Sequence, residues 1–439
     1  MKKNHYTYTI AAATVSLLLT ASLQSVSSAG SGPTGGSSSS NGQNFQGTGP
    51  WQVDNNSATV VRACPASANA ASCSALVLGV DKVKGQNPFG SGNSNGTGSP
   101  IPQDTFANNY MALSPAQIIT AYNFPTTNST GALAGTGETI AVVDANDDPN
   151  IVPDLATFNS QFGIPQLASC TITSTSGPCF QKVGETSTTP PATTYDAGWG
   201  MEISLDVEWA HAIAPGASIL LVEAKTSGWG DLMKAAQYAA TRAQYVSMSF
   251  GGQEMSNEKT FDGAFTNTAV SFFASSGDGG LYPEYPSVSP KVISVGGTTL
   301  NLTSSGTISS ETGWASGGGG CSTLETATTS QVAYPTYAQV NCGGKRATPD
   351  VAANADPNTG GFVYNSNNYG GTTGWFTVGG TSLSTPIWAA RAANTGIVVN
   401  QAYIYGSNRI NFHNISVGGN LAGCLVGYSL SCGLGSWNN

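Results

Sequence analysis

Short buried strands alternating with helical stretches predict an α/β fold with a mostly parallel central sheet and helices on both faces. Two observations carry that expectation. Residues 139–144, 218–222, 244–249, 270–276 and 292–295 are strand-length runs dominated by apolar and small residues without a period-two alternation, as strands buried on both faces are. Three of them close on residues suited to chemistry: Asp144, then Ser249-Phe250-Gly251-Gly252, then Ser276-Gly277-Asp278-Gly279-Gly280. Ligands of open α/β sheets bind beyond the carboxyl ends of the strands.

The chain has 439 residues, enough for one large domain. Only 9% of them are charged, with 15 Lys+Arg against 24 Asp+Glu and a net charge of −9. That balance excludes a nucleic-acid partner, which would require a basic surface. Solubility rests on hydroxyls and amides and depends little on carboxylate ionisation, which suits an extracellular and acidic setting. Residues 1–29 read as a secretory signal: Lys2 and Lys3, then a short apolar core at 10–19, then Ser27-Ser28-Ala29 as a cleavage site. The core is too short to remain as a membrane anchor, and no other stretch could span a bilayer. The expected product is a secreted monomer with no membrane contact after signal cleavage.

Residues 30–50 are rich in Gly and Ser and read as a linker. Residues 51–112 form a short N-terminal segment with one strand-like run at 75–80. The catalytic-type domain is expected over 113–439, opening on Ser114-Pro115-Ala116-Gln117, a helix start with Ser as N-cap and Pro in the first turn. The eight cysteines fall as sequence neighbours: Cys64 and Cys73, Cys170 and Cys179, Cys321 and Cys342, Cys424 and Cys432. An even count in a secreted chain reads as four loop-closing disulfides, although spacing alone leaves the connectivity open. Without a CxxC pair or neighbouring histidines, a zinc site is not supported.

Chemistry concentrates in three places. Gly379-Gly380-Thr381-Ser382-Leu383-Ser384-Thr385-Pro386 puts Ser382 at a helix start, where free N–H groups face developing negative charge and Pro386 is expected in the first turn. The same residues also read as a plain N-cap. The only histidines are His5, His211 and His413, and neither His211 nor His413 has the context of a base for Ser382. Glu202 and Asp206 stand i and i+4 on one helix face, where they would share a proton or form a solvated acidic face. Asp278 follows a strand and would donate a hydrogen bond only if protonated; Asp-Gly is also a good turn pair.

Taken together, Glu202-x-x-x-Asp206, Ser276-Gly277-Asp278 and Gly380-Thr381-Ser382-x-x-x-Pro386 resemble the sedolisins, or serine-carboxyl peptidases, on a subtilisin-like fold. The resemblance spans about 113–435. It implies Ser382 as nucleophile, Glu202 as general base, Asp206 as its partner and Asp278 as the oxyanion acid. Ser247, Ser249, Phe250, Gly251 and Gly252 then resemble the strand that lines the substrate, and Asp144 falls behind the reacting groups. The implied activity is acid endoproteolysis of protein or peptide substrates; an inactive, peptide-binding relative or a secreted structural protein are the alternatives. Two departures stand out. The family's large folded prosegment has no counterpart of that length here. The family's calcium site near the C-terminus is degenerate: Asn414-Ile415 and Leu425-Val426-Gly427-Tyr428-Ser429 lack both expected aspartates. No cofactor is expected, calcium is doubtful, and a Cys424–Cys432 disulfide would replace the ion.

Overall fold

The computed structural model describes residues 59–64, 70–78, 112–172, 177–186, 194–406 and 411–438, with strand backbone also at 51–52, 105–106 and 110–111. The signal-type stretch 1–29 and the linker-type stretch 30–50 lie outside the described residues. In chain order the elements that build the site are β1 (Trp51–Gln52), β2 (Thr59–Arg62), β3 (Ser72–Cys73), β4 (Leu76–Leu78), α1 (Pro115–Ala121), β5 (Thr139–Ala145) and α2 (Ile151–Phe162). They continue with β6 (Ala168–Ser169), β7 (Cys179–Gly184), α3 (Ala197–Ile213), β8 (Ser218–Ala224), α4 (Trp229–Ala239), β9 (Tyr245–Met248) and β10 (Phe250–Gln253). Next come β11 (Ser271–Ser275), β12 (Ile293–Leu302), β13 (Ile308–Gly313), β14 (Val351–Asn354), β15 (Gly361–Tyr369), β16 (Thr372–Gly379) and α5 (Thr381–Ala393).

Among the described residues the central sheet has nine strands, in the order β13-β12-β11-β9-β5-β8-β7-β6, with β14 also paired to β12. Every pairing is parallel except β12 with β13. Strands β5 and β8 are buried along their whole length, which is why their sequences do not alternate. Helices α3, α4 and α5 cover the sheet, and α3 and α5 pack against each other. The expected α/β architecture is therefore the one formed.

Local sequence explains the helix starts. Ser114 caps α1 in a full capping box with Gln117. Asp196 caps α3 by accepting from the N–H groups of Gly198 at 3.0 Å and Trp199 at 2.9 Å. α3 is buried all round, including Glu202, Asp206, Glu208 and His211, so the solvated acidic face is ruled out. Pro386 is a correction to the sequence reading: it lies inside α5, whose N-cap is Gly380, rather than in the first turn. Its missing N–H leaves the Ser382 carbonyl without an i+4 partner, and the Ser249 hydroxyl, whose single proton points chiefly at Asp206 Oδ1 2.9 Å away, reaches that carbonyl as the longer, 3.4 Å branch of a shared bond.

The N-terminal segment is woven into the domain. A second sheet runs β1-β2-β4-β16-β15, so β4 pairs with a strand of the catalytic region. All four disulfides join sequence neighbours: Cys64–Cys73, Cys170–Cys179, Cys321–Cys342 and Cys424–Cys432. No described helix is long and apolar enough to cross a membrane.

One buried ion pair braces the entry to β14. Arg346 and Asp350 are both 0% exposed and meet with Nη1 2.8 Å from Oδ1. Asp350 also accepts from Tyr405 Oη at 2.6 Å and from the Ser294 N–H at 2.7 Å. Removing one member strands the other charge in the core, which costs about 3–5 kcal/mol. Arg346→Met is accordingly expected to lower the unfolding free energy by that amount, read as a reduced denaturant midpoint at unchanged slope.

Candidate active site

The carboxyl ends of β5, β9 and β11 are neighbours in the sheet, and α3 and α5 pack beside them. This topology gathers Asp144, Glu202, Asp206, Ser249, Asp278 and Ser382 from five separate stretches of chain, Glu202 and Asp206 sharing α3. All of them are buried, Asp278 being the most accessible at 2%.

Ser382 is the second residue of α5, where its N–H has no helical acceptor. Gly380 makes that start possible, with φ at +94°, a left-handed conformation that favours glycine. A Cβ there would stand 1.9 Å from the Ser74 carbonyl oxygen and 2.7 Å from Asp278 Oδ2, so both oxygens crowd the same face of Gly380. Asp278 Oδ1 accepts from the Thr381 N–H at 2.8 Å and from its hydroxyl at 2.9 Å. Its Oδ2 has no protein partner and is left to serve whatever occupies that face.

Ser249 ties the groups together. Its hydroxyl donates to Asp206 Oδ1 at 2.9 Å, and its carbonyl accepts from the Ser382 hydroxyl at 3.2 Å. Neither oxygen of Glu202 has a well-formed hydrogen bond, nor has either oxygen of Asp144. The Ser382 hydroxyl nevertheless lies near enough to Glu202 to favour its ionised form. Burial is the main force on these acids. It pushes Glu202 well above the usual carboxylate range, reinforced by the charges of Asp206 and Asp144. Asp206 is raised by burial and by Asp144, against the Ser249 hydrogen bond. Asp144, which the sequence reading kept behind the reacting groups, is close enough to act on both and is itself pushed by burial to about 8. Asp278 is raised by burial to about 6, held back by the Arg62 charge and the Thr381 bonds.

Among the remaining expected residues, Ser247 lies on β9 with an unpartnered buried hydroxyl, and Phe250, Gly251 and Gly252 lie on β10. His211 is buried with Nε2 2.8 Å from the Pro165 carbonyl, and His413 Nδ1 is 2.8 Å from Glu311, so both stand apart from the site. Sequence reasoning missed Arg62, Ser74, Thr381 and Glu284. Glu284 presses on the site: a Cβ on Gly277 would meet its carboxyl carbon at 2.5 Å, and one on Gly251 would meet Oε2 at 2.6 Å. Burial raises Glu284 to about 7, against the pull of Arg62. Only a glycine's readiness to accept a close neighbour hinted at these contacts.

A model of the subtilase family, peptidase S8, matches residues 135–397. The chain belongs to the subtilase family. Within it the kinship is with the sedolisins. Kumamolisin from Bacillus sp. (strain MN-32) is 31% identical over 311 residues, 64% of this chain and 52% of kumamolisin. Sedolisin from Pseudomonas sp. (strain 101) is 36% identical over 143 residues, 27% of this chain and 22% of sedolisin. This subtilase thus spans about half of kumamolisin and about a fifth of sedolisin in those matches. The solved structure of Pseudomonas sedolisin, a serine-carboxyl proteinase complexed with two molecules of pseudo-iodotyrostatin, superposes with a TM-score of 0.61 at 25% identity. It covers 74% of this chain and 95% of that one.

The C-terminal loop of this subtilase offers no carboxylate to a calcium ion, residues 411–438 containing neither Asp nor Glu. Asn414 is exposed, Leu425 is 42% exposed, and Ile415 is buried against Cys424 and Cys432. The Ser429 hydroxyl already accepts from the Cys432 N–H at 3.1 Å, and Gly427 turns against Thr336. Asn420 laces the loop, donating to the Gly317 carbonyl at 2.9 Å and accepting from the Ala422 N–H at 3.0 Å. Among the described residues no three His, Cys, Asp or Glu side chains converge as a metal site. Melting is therefore expected to be insensitive to chelator and lowered by reductant, and dialysed protein to lack stoichiometric calcium by elemental analysis.

The buried acids also set the pH dependence of stability. An acid whose folded pKa is raised binds its proton more tightly in the folded state, so its contribution is complete below the unfolded value near 4 and is lost as pH rises through the folded one. With Asp278 at about 6, Glu284 at about 7 and Asp144 and Glu223 at about 8, that loss falls between about pH 4 and 8. The melting temperature should be highest in acid and decline toward neutrality. A melting temperature that climbed steadily from pH 4 to 8 would contradict it.

Proposed function

We propose that this chain is a secreted endopeptidase that hydrolyses peptide bonds in acid through an acyl-enzyme on Ser382. The observation that carries the reading is a buried serine at a helix N-terminus flanked by a carboxyl pair, with the free oxygen of a third carboxyl beside the same helix start. In the ground state the Ser382 hydroxyl donates to the Ser249 carbonyl. Attack requires it to exchange that bond for one to Glu202, whose unpartnered oxygens can take the proton. Asp206, fixed by Ser249, and Asp144 keep a proton shared within the cluster, so the carboxyls titrate as a unit. The Ser382 N–H and protonated Asp278 Oδ2 stabilise the oxyanion. Glu202 returns the proton to the leaving amine, and water then repeats the sequence on the ester. The likeness to kumamolisin and sedolisin supports this chemistry. The substrates are unfolded or flexible polypeptides, and the signal-type N-terminus and four disulfides support secretion.

Ser382→Ala is expected to abolish hydrolysis of a denatured protein while leaving the melting temperature close to the parent's. Retained turnover would sink the nucleophile assignment. An aldehyde-terminated peptide should inhibit by forming a hemiacetal on Ser382.

Activity should fall as pH rises through about 6, because Asp278 then loses the proton it must donate and sets a negative charge against the oxyanion. Asp278→Asn should cost roughly 3 kcal/mol of barrier where donor geometry is disturbed, with a flatter alkaline limb, since an amide does not titrate. A pH–rate profile of both proteins decides this; an optimum near pH 8 for the parent would refute the carboxyl mechanism.

A further inference from the structure

A peptidase nucleophile that is 0% exposed has something lying over it, and here that cover is the chain's own N-terminal segment. β3 pairs antiparallel with β10, Cys73 opposite Phe250 and Ser72 opposite Gly251. The Ser74 N–H donates to the Ser249 carbonyl at 3.0 Å, and the Ser74 carbonyl accepts from the Ser382 N–H at 3.3 Å. The Ser275 hydroxyl meets the Ser74 hydroxyl at 3.1 Å. Beyond Ala75 the chain enters β4, which pairs with β16 up to Gly379, immediately before the nucleophile helix. An extended strand therefore crosses the cleft with one carbonyl delivered to the backbone donor of Ser382. This is strand addition, a recurrent way of holding an extended peptide through its backbone.

The strand is clamped from behind. The Cys64–Cys73 disulfide closes directly before Ser74. On the other side of the Ser74–Ala75 bond, the Ala63 N–H donates to the Ala75 carbonyl at 2.9 Å, and β2 pairs with β4, Arg62 opposite Leu76. The Ala63 carbonyl rests on α3, where a Cβ at Gly198 would meet it at 2.1 Å. The Tyr369 hydroxyl donates to the Arg62 carbonyl at 3.2 Å, and the Ala71 N–H to the Ser227 carbonyl at 3.0 Å.

Building on the peptidase reading above, we propose that residues 60–64 and 70–78 form a resident inhibitor, with the Ser74–Ala75 bond in the position of the bond to be cut. Attack by Ser382 Oγ on the Ser74 carbonyl carbon would break the C–N bond, pass the serine proton through Glu202 to the Ala75 nitrogen, and leave an acyl-enzyme and a free amine. The disulfide holds the acyl end to β2, and β2 holds the amine end through β4. The amine stays beside the ester, and its attack on the acyl carbon, with the proton returning through Glu202 to Ser382, restores the bond. Water and outside substrates reach the ester only when the strand swings away, so turnover by the parent is slow rather than nil. The clamped strand thereby keeps the chain latent.

The test uses the full chain with two independent ways of loosening the strand. Ser74→Pro removes the N–H that binds Ser249, and Cys64→Ser with Cys73→Ser removes the tether. Both are expected to hydrolyse denatured casein at acidic pH at least tenfold faster than the parent. A second readout does not need catalysis: in a Ser382→Ala background, a fluorescein-labelled peptide of residues 70–78 carrying Cys73→Ser should bind at least tenfold more tightly once Ser74→Pro is added. Equal peptide binding with and without Ser74→Pro would overturn the inhibitor proposal whatever the activity. Tighter binding to the loosened chain, with no hydrolysis by any folded variant, would uphold the plug and overturn the peptidase reading instead.

Discussion

A carboxylate moved from water to a protein interior without hydrogen-bond donors costs several kcal/mol, and the usual escape is to keep a proton. Asp144, Glu202 and Asp206 are held in that condition together, with only one of their six oxygens partnered by a hydrogen bond, from Ser249. The groups around them follow from this constraint. Like charges at close range cannot all ionise, so the cluster keeps protons to high pH and Glu202 remains a base only as a member of it. A fold that pays for such a cluster loses stability as pH rises, which suits a surface whose solubility does not rest on ionised carboxylates.

Ser249 is where the constraint is turned into geometry. Its hydroxyl fixes Asp206, and its carbonyl receives the Ser382 hydroxyl and the Ser74 N–H. The same hydroxyl also reaches the Ser382 carbonyl that Pro386 leaves without a helical donor. A proline that looks like a helix-start signal thus opens a backbone acceptor inside the helix, next to the nucleophile.

The position of the N-terminal segment changes how the site is understood. Arg62 sits near enough to Asp278 and Glu284 to lower both. Withdrawal of the segment would remove that cation and expose the cleft in one movement. The Cys64–Cys73 disulfide closes a short loop directly before Ser74 and so restrains the strand covalently.

The strands were legible in the sequence because burial on both faces leaves an unbroken apolar run, and Glu202, Asp206, Asp278 and Ser382 stood out because three short motifs in order resemble the sedolisins, each motif alone having a plain structural reading. Local chemistry sets those features, so one dimension suffices to see them. The pairing of cysteines as neighbours was also suggested by spacing, although spacing alone could not choose among connectivities. Only the tertiary structure decided that Asp144 joins the carboxyl pair, that Pro386 lies within α5, that Asn420 laces the C-terminal loop, and that residues 70–78 lie across Ser382. Each of these depends on contacts between segments far apart in the chain, fixed by sheet order and by which backbone groups are left to pair, and no local pattern of residue types records them.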